Sequence, residues 1–463
     1  VLDYMQRTKQ GSPELKMTAE KYVATGYQRL LTFETPGGGF SLMGNPPTIP
    51  FLTAYGLMEM YDMSKVYPVD PAVIDRAARW LLNNQEPDGS WQTGDYRAGE
   101  GTLGSTAYVV WALVEAGYED TPQVGKGVSY IREFAMSEED AYSLALAANA
   151  LAAYDPDGAV TKQVLARLEG MKVQDGDNVY WKTAGSLMGG YGQSGAVETT
   201  ALAAYAFMKG KAYPQSAQGA LGYLVQSKDS WGTWSSTQAT ILSLKAMLLS
   251  LEVGGQGAGG EATVRVVLNN ELEETVRITE ENADVVHLIT FSKGVFPGRE
   301  NKIALEVTGG GNLMYQVATS YYLPWEQVPP EPEGEEAINI DLSYDRTALA
   351  VNDTVNVNVK ARLNKEGVAR MVIIDLGVPP GFTVLADDLG LLVEKGLIKR
   401  YELTGRQIII YLENFSSEAP LTFSYRLRAR FPLRAKTPSS QAYDYYTPEG
   451  GAIRAPTEMV VSE

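Results

Sequence analysis

A glycine-rich turn holding an aromatic residue, followed by an apolar helix that opens at Ser or Thr, recurs through the first 250 residues. Gly39-Phe40 precedes Phe51-Leu52-Thr53-Ala54-Tyr55, and Asp88-Gly89-Ser90-Trp91 precedes Gly104-Ser105-Thr106-Ala107-Tyr108. Tyr180-Trp181 precedes Val197-Glu198-Thr199-Thr200-Ala201, and Gly232-Thr233-Trp234 precedes Ser235-Ser236-Thr237-Gln238-Ala239. Glycine gives the backbone freedom that ends one helix, and Ser or Thr caps the first amides of the next. Helices such as residues 108–113 are apolar on nearly every side and belong in an inner layer. Residues 74–84 instead keep a polar face, with Ile74, Ala77, Ala78 and Leu81 at helical spacing. Inner and outer helices alternating every ~35–55 residues predict stacked helical hairpins. Closing the stack into an α/α toroid leaves no exposed end repeat.

The pattern then changes. Residues 254–260 form a Gly-rich break. Beyond it, residues 262–268, 284–291 and 303–307 read as strands. A second break, residues 329–336, is acidic and rich in proline, as stiff linkers are. After it, residues 338–343, 355–361, 371–378, 407–412 and 421–429 predict a β-sandwich. A short helix is expected over residues 385–394, where Ala386, Leu389 and Val393 share a side.

Several function classes are excluded early. A net charge of −17 opposes nucleic acid as a partner, since phosphate binding needs a basic surface. The sequence has no cysteine and a single histidine, His287, so disulfides, thiolate catalysis and most histidine-based metal sites and triads fall away. No metal and no cofactor are expected. No apolar run is long enough to span a membrane, and any leader peptide is expected upstream of Val1 or already removed.

Three separated stretches resemble the alpha-2-macroglobulin and complement thioester protein family. Val1-Leu2-Asp3-Tyr4, followed by Gly26-Tyr27-Gln28-Arg29-Leu30-Leu31, resembles the segment that follows that family's Cys-Gly-Glu-Gln thioester motif. Phe51 to Tyr55 and Ser235-Ser236-Thr237-Gln238-Ala239-Thr240 resemble its recurrent helix starts. Ile373-Ile374-Asp375-Leu376, Pro380-Gly381-Phe382, Ile409-Ile410-Tyr411-Leu412 and Ala442-Tyr443-Asp444-Tyr445-Tyr446 resemble its receptor-binding domain, in order. The resemblance implies a thioester-type toroid over residues 1–253, without its thioester helix, and the later half of a CUB-like β domain over 261–325. It further implies a linker over 326–336 and a receptor-binding-like sandwich with a short helix over 337–459. The half CUB-like domain would lack partner strands, so the chain is expected to be part of a larger protein whose macroglobulin-like domains lie upstream.

The implied function is a broad protease trap, not an enzyme. Bait cleavage would activate a thioester that captures the protease, with the reactive Cys and Gln upstream of this chain. Some relatives aid hydroxyl attack with a histidine. The matching loop here, Gln92 to Glu100, places Asp95, Tyr96, Gly99 and Glu100 where that histidine is sought, so direct reaction with amines is expected. The family shields its thioester with aromatic rings, and Tyr27, Phe40, Tyr443, Tyr445 and Tyr446 are the candidates here. His287 is assigned a structural role. Lys395, Lys399 and Arg400 are read as a solvated face beside Asp387, Asp388 and Glu394, and Asp175-Gly176-Asp177-Asn178 as a plain turn. One alternative is a cell-surface adhesive or structural protein that lacks the thioester. A remoter one is a terpene-cyclase-like toroid, suggested by Gln85-Glu86-Pro87-Asp88-Gly89-Ser90-Trp91 but lacking the catalytic Asp-x-Asp-Asp motif. Proteases are the expected partners. A secreted, periplasmic or cell-surface setting is expected, and the lack of cysteine over this length leans towards a bacterial or archaeal exported protein.

Overall fold

A computed structural model describes residues 1–8, 13–93, 101–229, 232–234, 236–253, 261–279, 282, 287–310, 313, 315–319, 321–327, 336–445 and 447–463. Helices dominate up to residue 253 and strands dominate thereafter. The helices are α1 (Leu2–Thr8), α2 (Pro13–Leu31), α3 (Pro50–Ser64), α4 (Pro71–Asn83), α5 (Thr102–Glu115), α6 (Pro122–Phe134), α7 (Ala141–Tyr154), α8 (Ala159–Gly170), α9 (Gly192–Lys209), α10 (Pro214–Gln226) and α11 (Thr237–Val253). A small hairpin, β1 (Val173–Asp175) and β2 (Asn178–Tyr180), interrupts them. Two compact units are resolved by contact. The first joins Val1–Thr183, Val197–Ser227 and Ile241–Val317, and the second joins Ala184–Ala196, Lys228–Thr240 and Ala318–Glu463.

Within the first unit the inner and outer layers follow the sequence pattern. Helices α3, α5 and α7 pack side by side, and α5 is buried over Leu103 to Leu113 with α7 buried over Ala141 to Ala152. Outer helices α4, α6 and α8 each bury one face, led by Val73, Ala77 and Leu81 in α4. Asn149 of α7 donates through Nδ2 to the Leu202 carbonyl of α9 at 3.0 Å. Lys245 of α11 pairs with Asp62 of α3 at 2.9 Å.

The recurrent turn has a specific bond. The backbone N–H of the turn aromatic donates to a Thr hydroxyl in the next inner helix: Phe40 to Thr53 at 2.9 Å, Trp91 to Thr106 at 3.0 Å and Trp181 to Thr200 at 3.1 Å. In the second unit Trp234 makes the same bond to Thr240 at 3.2 Å. Two of the indoles also donate backwards, Trp91 to the Leu81 carbonyl and Trp181 to the Leu168 carbonyl, so each ring ties the outer helix it leaves to the inner helix it enters. Gln85 adds a further tie, donating to the carbonyls of Gln123 and Gly89. Gly127 is required beside Trp91, because a Cβ there would lie 2.6 Å from Val110 and 2.9 Å from the indole. Thr106→Val, which keeps the shape but removes the acceptor, is expected to cost about 1–3 kcal/mol by leaving a buried N–H unpaired. Thermal unfolding checks this, with Thr106→Ser expected to retain most of the stability.

Strands β3 (Ala262–Leu268), β4 (Leu272–Ile278) and β5 (Ile303–Gly309) form an antiparallel sheet in the order β4-β3-β5. Its two faces differ sharply. Val264, Val276 and Val307 stand in one register row, whereas Arg265 on the opposite face pairs with Glu273 and Glu306. Val307 is 53% exposed, so the apolar face is incompletely covered.

The β-sandwich holds β6 (Ile338–Tyr344), β7 (Ala348–Ala350), β8 (Thr354–Leu363), β9 (Val368–Gly377), β10 (Phe382–Val384), β11 (Arg400–Leu403), β12 (Gln407–Ser416), β13 (Leu421–Ala429), β14 (Leu433–Lys436), β15 (Ser440–Asp444), β16 (Thr447–Arg454) and β17 (Glu458–Ser462), with α12 (Ala386–Glu394) between β10 and β11. A four-stranded sheet, β10-β13-β8-β6, and a five-stranded sheet, β11-β12-β9-β15-β16, share one core that includes Ile340, Val357, Ile374, Ile410 and Leu427. Leu389 and Leu392 of α12 join that core. A third sheet runs β14-β17-β7.

The strand expected over residues 284–291 is not formed over its described part. Residues 283–286 lie outside the described residues, and 287–291 have no strand neighbour. Leu288 is largely exposed there. A lone extended segment leaves its backbone groups without a ladder, so alternation of residue types alone did not make a strand. His287 accordingly lies outside any strand, with Nε2 3.2 Å from the Asn282 carbonyl. The Gly-rich break at 254–260 and most of the acidic linker also lie outside the described residues.

Candidate functional site

The loop proposed to replace the family histidine is flanked by ordered structure. Asp95, Tyr96, Gly99 and Glu100 lie outside the described residues, but Trp91 before them is fixed by its two hydrogen bonds. Gly101 after them adopts φ +81°, a left-handed conformation that glycine takes without strain, and α5 starts from it. Thr102 donates to the Gln92 side chain at 3.4 Å, and Ser105 donates to the Gln92 carbonyl at 3.5 Å.

The five shielding candidates fall into different settings. Tyr27 is buried in the first unit, where its hydroxyl accepts from the Asp70 N–H at 3.1 Å and its ring lies 5.6 Å from Tyr67. Phe40 is buried there too, with its ring against Gly56. Tyr443 and Tyr445 stand two residues apart at the end of β15, in the second unit. Tyr443 pairs in register with Ile373 of β9, and the Tyr445 N–H donates to the Met371 carbonyl at 2.9 Å. Tyr445 is 40% exposed. Tyr446 lies outside the described residues. The sequence motif therefore groups residues whose solvent access differs widely, because a motif records order along the chain and not which ring faces out.

Next to Tyr443, β9 carries a carboxylate that the sequence reading passed over as a site. Asp375 is buried, and its Oδ2 accepts from Gln407 at 2.7 Å and Gln441 at 3.4 Å. Burial pushes its pKa up, against the hydrogen bond from Gln441. Burial, together with Asp375, Tyr445 and Tyr411, also raises the Tyr443 phenol. An acidic residue at a strand centre flanked by Ile374 and Leu376 was the available signal.

The basic residues near α12 are largely engaged by acids. Lys399 pairs with Glu413 at 2.9 Å, and Arg400 pairs with Glu402 at 2.8 Å while lying over the Tyr411 ring. Asp388 is held by Arg426 through both carboxylate oxygens. Asp175 and Asn178 close the β1–β2 hairpin around Gly176 at φ +59°. Among the described residues, no group of three or more His, Cys, Asp or Glu is placed to hold a metal ion.

The first unit holds a second polar concentration, where α1, α3 and α11 meet. Arg7 bridges Asp3 at 2.9 Å and Glu252 of α11 at 2.6 Å. Asp62 receives Lys65 at 2.8 Å and Lys245 at 2.9 Å. Burial opposes the charge on Asp62, but the two lysines outweigh it and hold the carboxyl below its usual range. One turn earlier on α3, burial pushes Glu59 up to about 7, with Tyr55 and Lys245 opposing that shift and Asp62 adding to it. Lys245 also lies 5.8 Å from the Trp111 ring of α5, which packs against Tyr205 of α9. Two acids three residues apart on an otherwise apolar helix were the sequence signal for this cluster.

Comparison with known proteins adds three findings. The family model for the A-macroglobulin TED domain matches residues 1–249, and that for the A-macroglobulin receptor binding domain matches residues 367–456. Ovostatin from Gallus gallus is 23% identical over 98% of this chain and 32% of its own length, and Complement C3 from Oncorhynchus mykiss is 25% identical over 96% and 28%. The chain thus spans about a third of the length of these relatives. Native alpha-2-macroglobulin from Escherichia coli, solved from domain MG7 to the C-terminus, superposes with a TM-score of 0.67 at 17% identity, covering 98% of this chain and 69% of that one. Salmonella alpha-2-macroglobulin reacted with methylamine gives 0.64 at 18% identity, covering 98% and 28%. No helix among the described residues is long and apolar enough to cross a membrane.

Proposed function

Because the chain belongs to the alpha-2-macroglobulin family, we propose that it forms the thioester-type, half CUB-like and receptor-binding-like regions of a secreted, periplasmic or cell-surface protease trap. The observation that carries this is the ordered match of a helical TED domain and a receptor-binding domain along one chain. The proposed boundaries are residues 1–253, 261–325, 326–336 and 337–459. Closure of the helices into a toroid is supported by the Asp62–Lys245 pair, which joins an early inner helix to the last one. The half CUB-like assignment is supported by the β3–β5 sheet, whose apolar face asks for a covering layer. The upstream half of the same β domain is the proposed cover.

In this proposal the reactive acyl bond is made by residues upstream, since the sequence holds no cysteine. Bait cleavage exposes that bond, and an amine on the attacking protease displaces the thiolate to form an amide. The chain itself acts as scaffold and shield rather than as an enzyme. Tyr443, Tyr445 and Tyr446 are proposed to keep water from the bond, with Tyr27 and Phe40 fixing the helical side. The Asp95 to Glu100 loop brings no imidazole to relay a hydroxyl proton, so direct aminolysis is the proposed route.

A nucleophile panel on the longer protein tests this. Methylamine is expected to be incorporated, with release of one thiol, at least tenfold faster than glycerol. Preferential glycerol uptake would defeat the direct-amine mechanism, and uptake of neither would favour an adhesive or structural protein without the thioester.

A further inference from the structure

The helices come in pairs, and one pair is incomplete. Inner helices α3, α5, α7 and α9 are each followed by an outer helix of 12 or 13 residues, α4, α6, α8 and α10. Helix α11 has the make-up of an inner helix, with Lys245 and Glu252 as its charged residues, yet no helix follows it before β3 among the described residues. Its exposure differs accordingly. Helix α5 is buried without a break from Leu103 to Leu113, and α7 from Ala141 to Ala152. Helix α11 buries the face carrying Leu242, Ala246 and Leu249. The opposite face carries Leu244, Met247, Leu248 and Leu251, at spacing i, i+3, i+4 and i+7. Leu244 is 37% exposed and Leu251 57%. An apolar stripe open to water over two turns is what an inner helix shows when nothing covers its outer side.

We propose that this stripe is the seat of a fifth outer helix, supplied by the part of the same protein upstream of Val1. The proposal rests on the reading of this chain as part of a longer protein, of which the matched relatives are about three times its length, but it needs no thioester. The four outer helices already present set the chemistry of the occupant. Helix α6 buries Val124, Val128 and Ile131 on one face, and α8 buries Val164, Leu165 and Leu168. The occupant is therefore an amphipathic helix of about 12 residues with aliphatic side chains at i, i+3 or i+4 and i+7, and a polar outer face. The shape of the seat agrees. The stripe is one row of side chains, edged by Lys245 and Glu252, which are already paired with Asp62 and Arg7. One row accepts the ridge of a single helix, and falls well short of the about 800 Å² per partner that a stable dimer buries. A helix tethered in the same chain needs less area, because its effective concentration is high.

Cross-linking in the longer protein tests this. A benzophenone amino acid at position 251 is expected to cross-link to a peptide N-terminal to Val1. Diazirine labelling of residues 241–253 is expected to fall about tenfold relative to the 463-residue chain, with Phe134 of α6, 40% exposed, as the internal reference. Leu248→Lys is expected to leave the thermal unfolding of the helices unchanged in the 463-residue chain and to lower its midpoint by about 5 °C in the longer protein. Labelling that stays level overturns the proposal, as does a cross-link to a second copy of the chain. An equal loss from Leu248→Lys in both proteins also overturns it, since the face would then be packed already. The outcome separates from that of the trap reading. Thiol release by methylamine without an upstream cross-link overturns the fifth helix alone, and an upstream cross-link without thiol release leaves the seat standing and removes the trap.

Discussion

Trp181→Ala is expected to destabilise the helical unit by about 3–5 kcal/mol, the range for truncating a fully buried indole. Three losses combine. The ring leaves a cavity beside Phe207, 5.7 Å away, the Leu168 carbonyl loses its 2.7 Å donor, and the turn keeps only its N–H bond to the Thr200 hydroxyl of α9, so its hydrogen bond to α8 is gone. For a unit of this size that corresponds to roughly a 10 °C fall in the midpoint of thermal unfolding. Tryptophan fluorescence is the suitable probe, since six of the seven tryptophans precede residue 250. Trp181→Phe separates the contributions: it keeps most of the apolar volume and is expected to cost about 1–3 kcal/mol through the unpaired carbonyl. Equal losses in both variants would show that packing contributes little and the hydrogen bond nearly everything.

The second large effect belongs to the sandwich. Ile374 is fully buried at the centre of the five-stranded sheet, between Ile410 of β12 and Ala442 of β15. Ile374→Asp puts a carboxylate into that core with no partner of opposite charge among the core residues. Several kcal/mol are lost whether the group stays charged or takes up a proton. A single β domain has a stability of about 5–15 kcal/mol, so much of the margin disappears. The expected result is rapid proteolysis within residues 337–463 with the tryptophan transition largely retained, because each region has its own core. Loss of both together would mean that the helices depend on the sandwich for their stability.

Much of the architecture was legible because its signals are local. The aromatic turn and the Thr that follows it lie within 19 residues of each other, and the structure joins them by a hydrogen bond from the turn N–H rather than by the expected cap, since α3 and α5 start after Ile49 and Gly101 without a side-chain cap. The sequence pattern marked β6, β8 and β13 nearly to their ends for the same reason, while β12 runs four residues past the expected Leu412. Over residues 287–291, the described part of the expected strand 284–291, no strand forms, because a strand is completed by its neighbour, which no local pattern reports. The short strands β14 to β17 escaped notice because Pro, Gly and charged residues interrupt their alternation. The site was less legible. Tyr443 and Tyr445 could be found by motif, but the burial of Tyr27 and Phe40 depends on Tyr67, Asp70 and Gly56, which lie on other turns of chain. Glu59 and Asp375 were visible only as acids in apolar surroundings, and their partners Lys245, Gln407 and Gln441 come from distant segments.

The threonine ties also bear on the order in which the molecule assembles. The four span 6 to 19 residues, so each hairpin can draw together soon after it leaves the ribosome, at small loss of chain entropy. The Asp62–Lys245 bond waits for nearly the whole helical region to be synthesised. A nascent chain halted before α11 would hold well-formed hairpins while Asp62 of α3 still lacks Lys245.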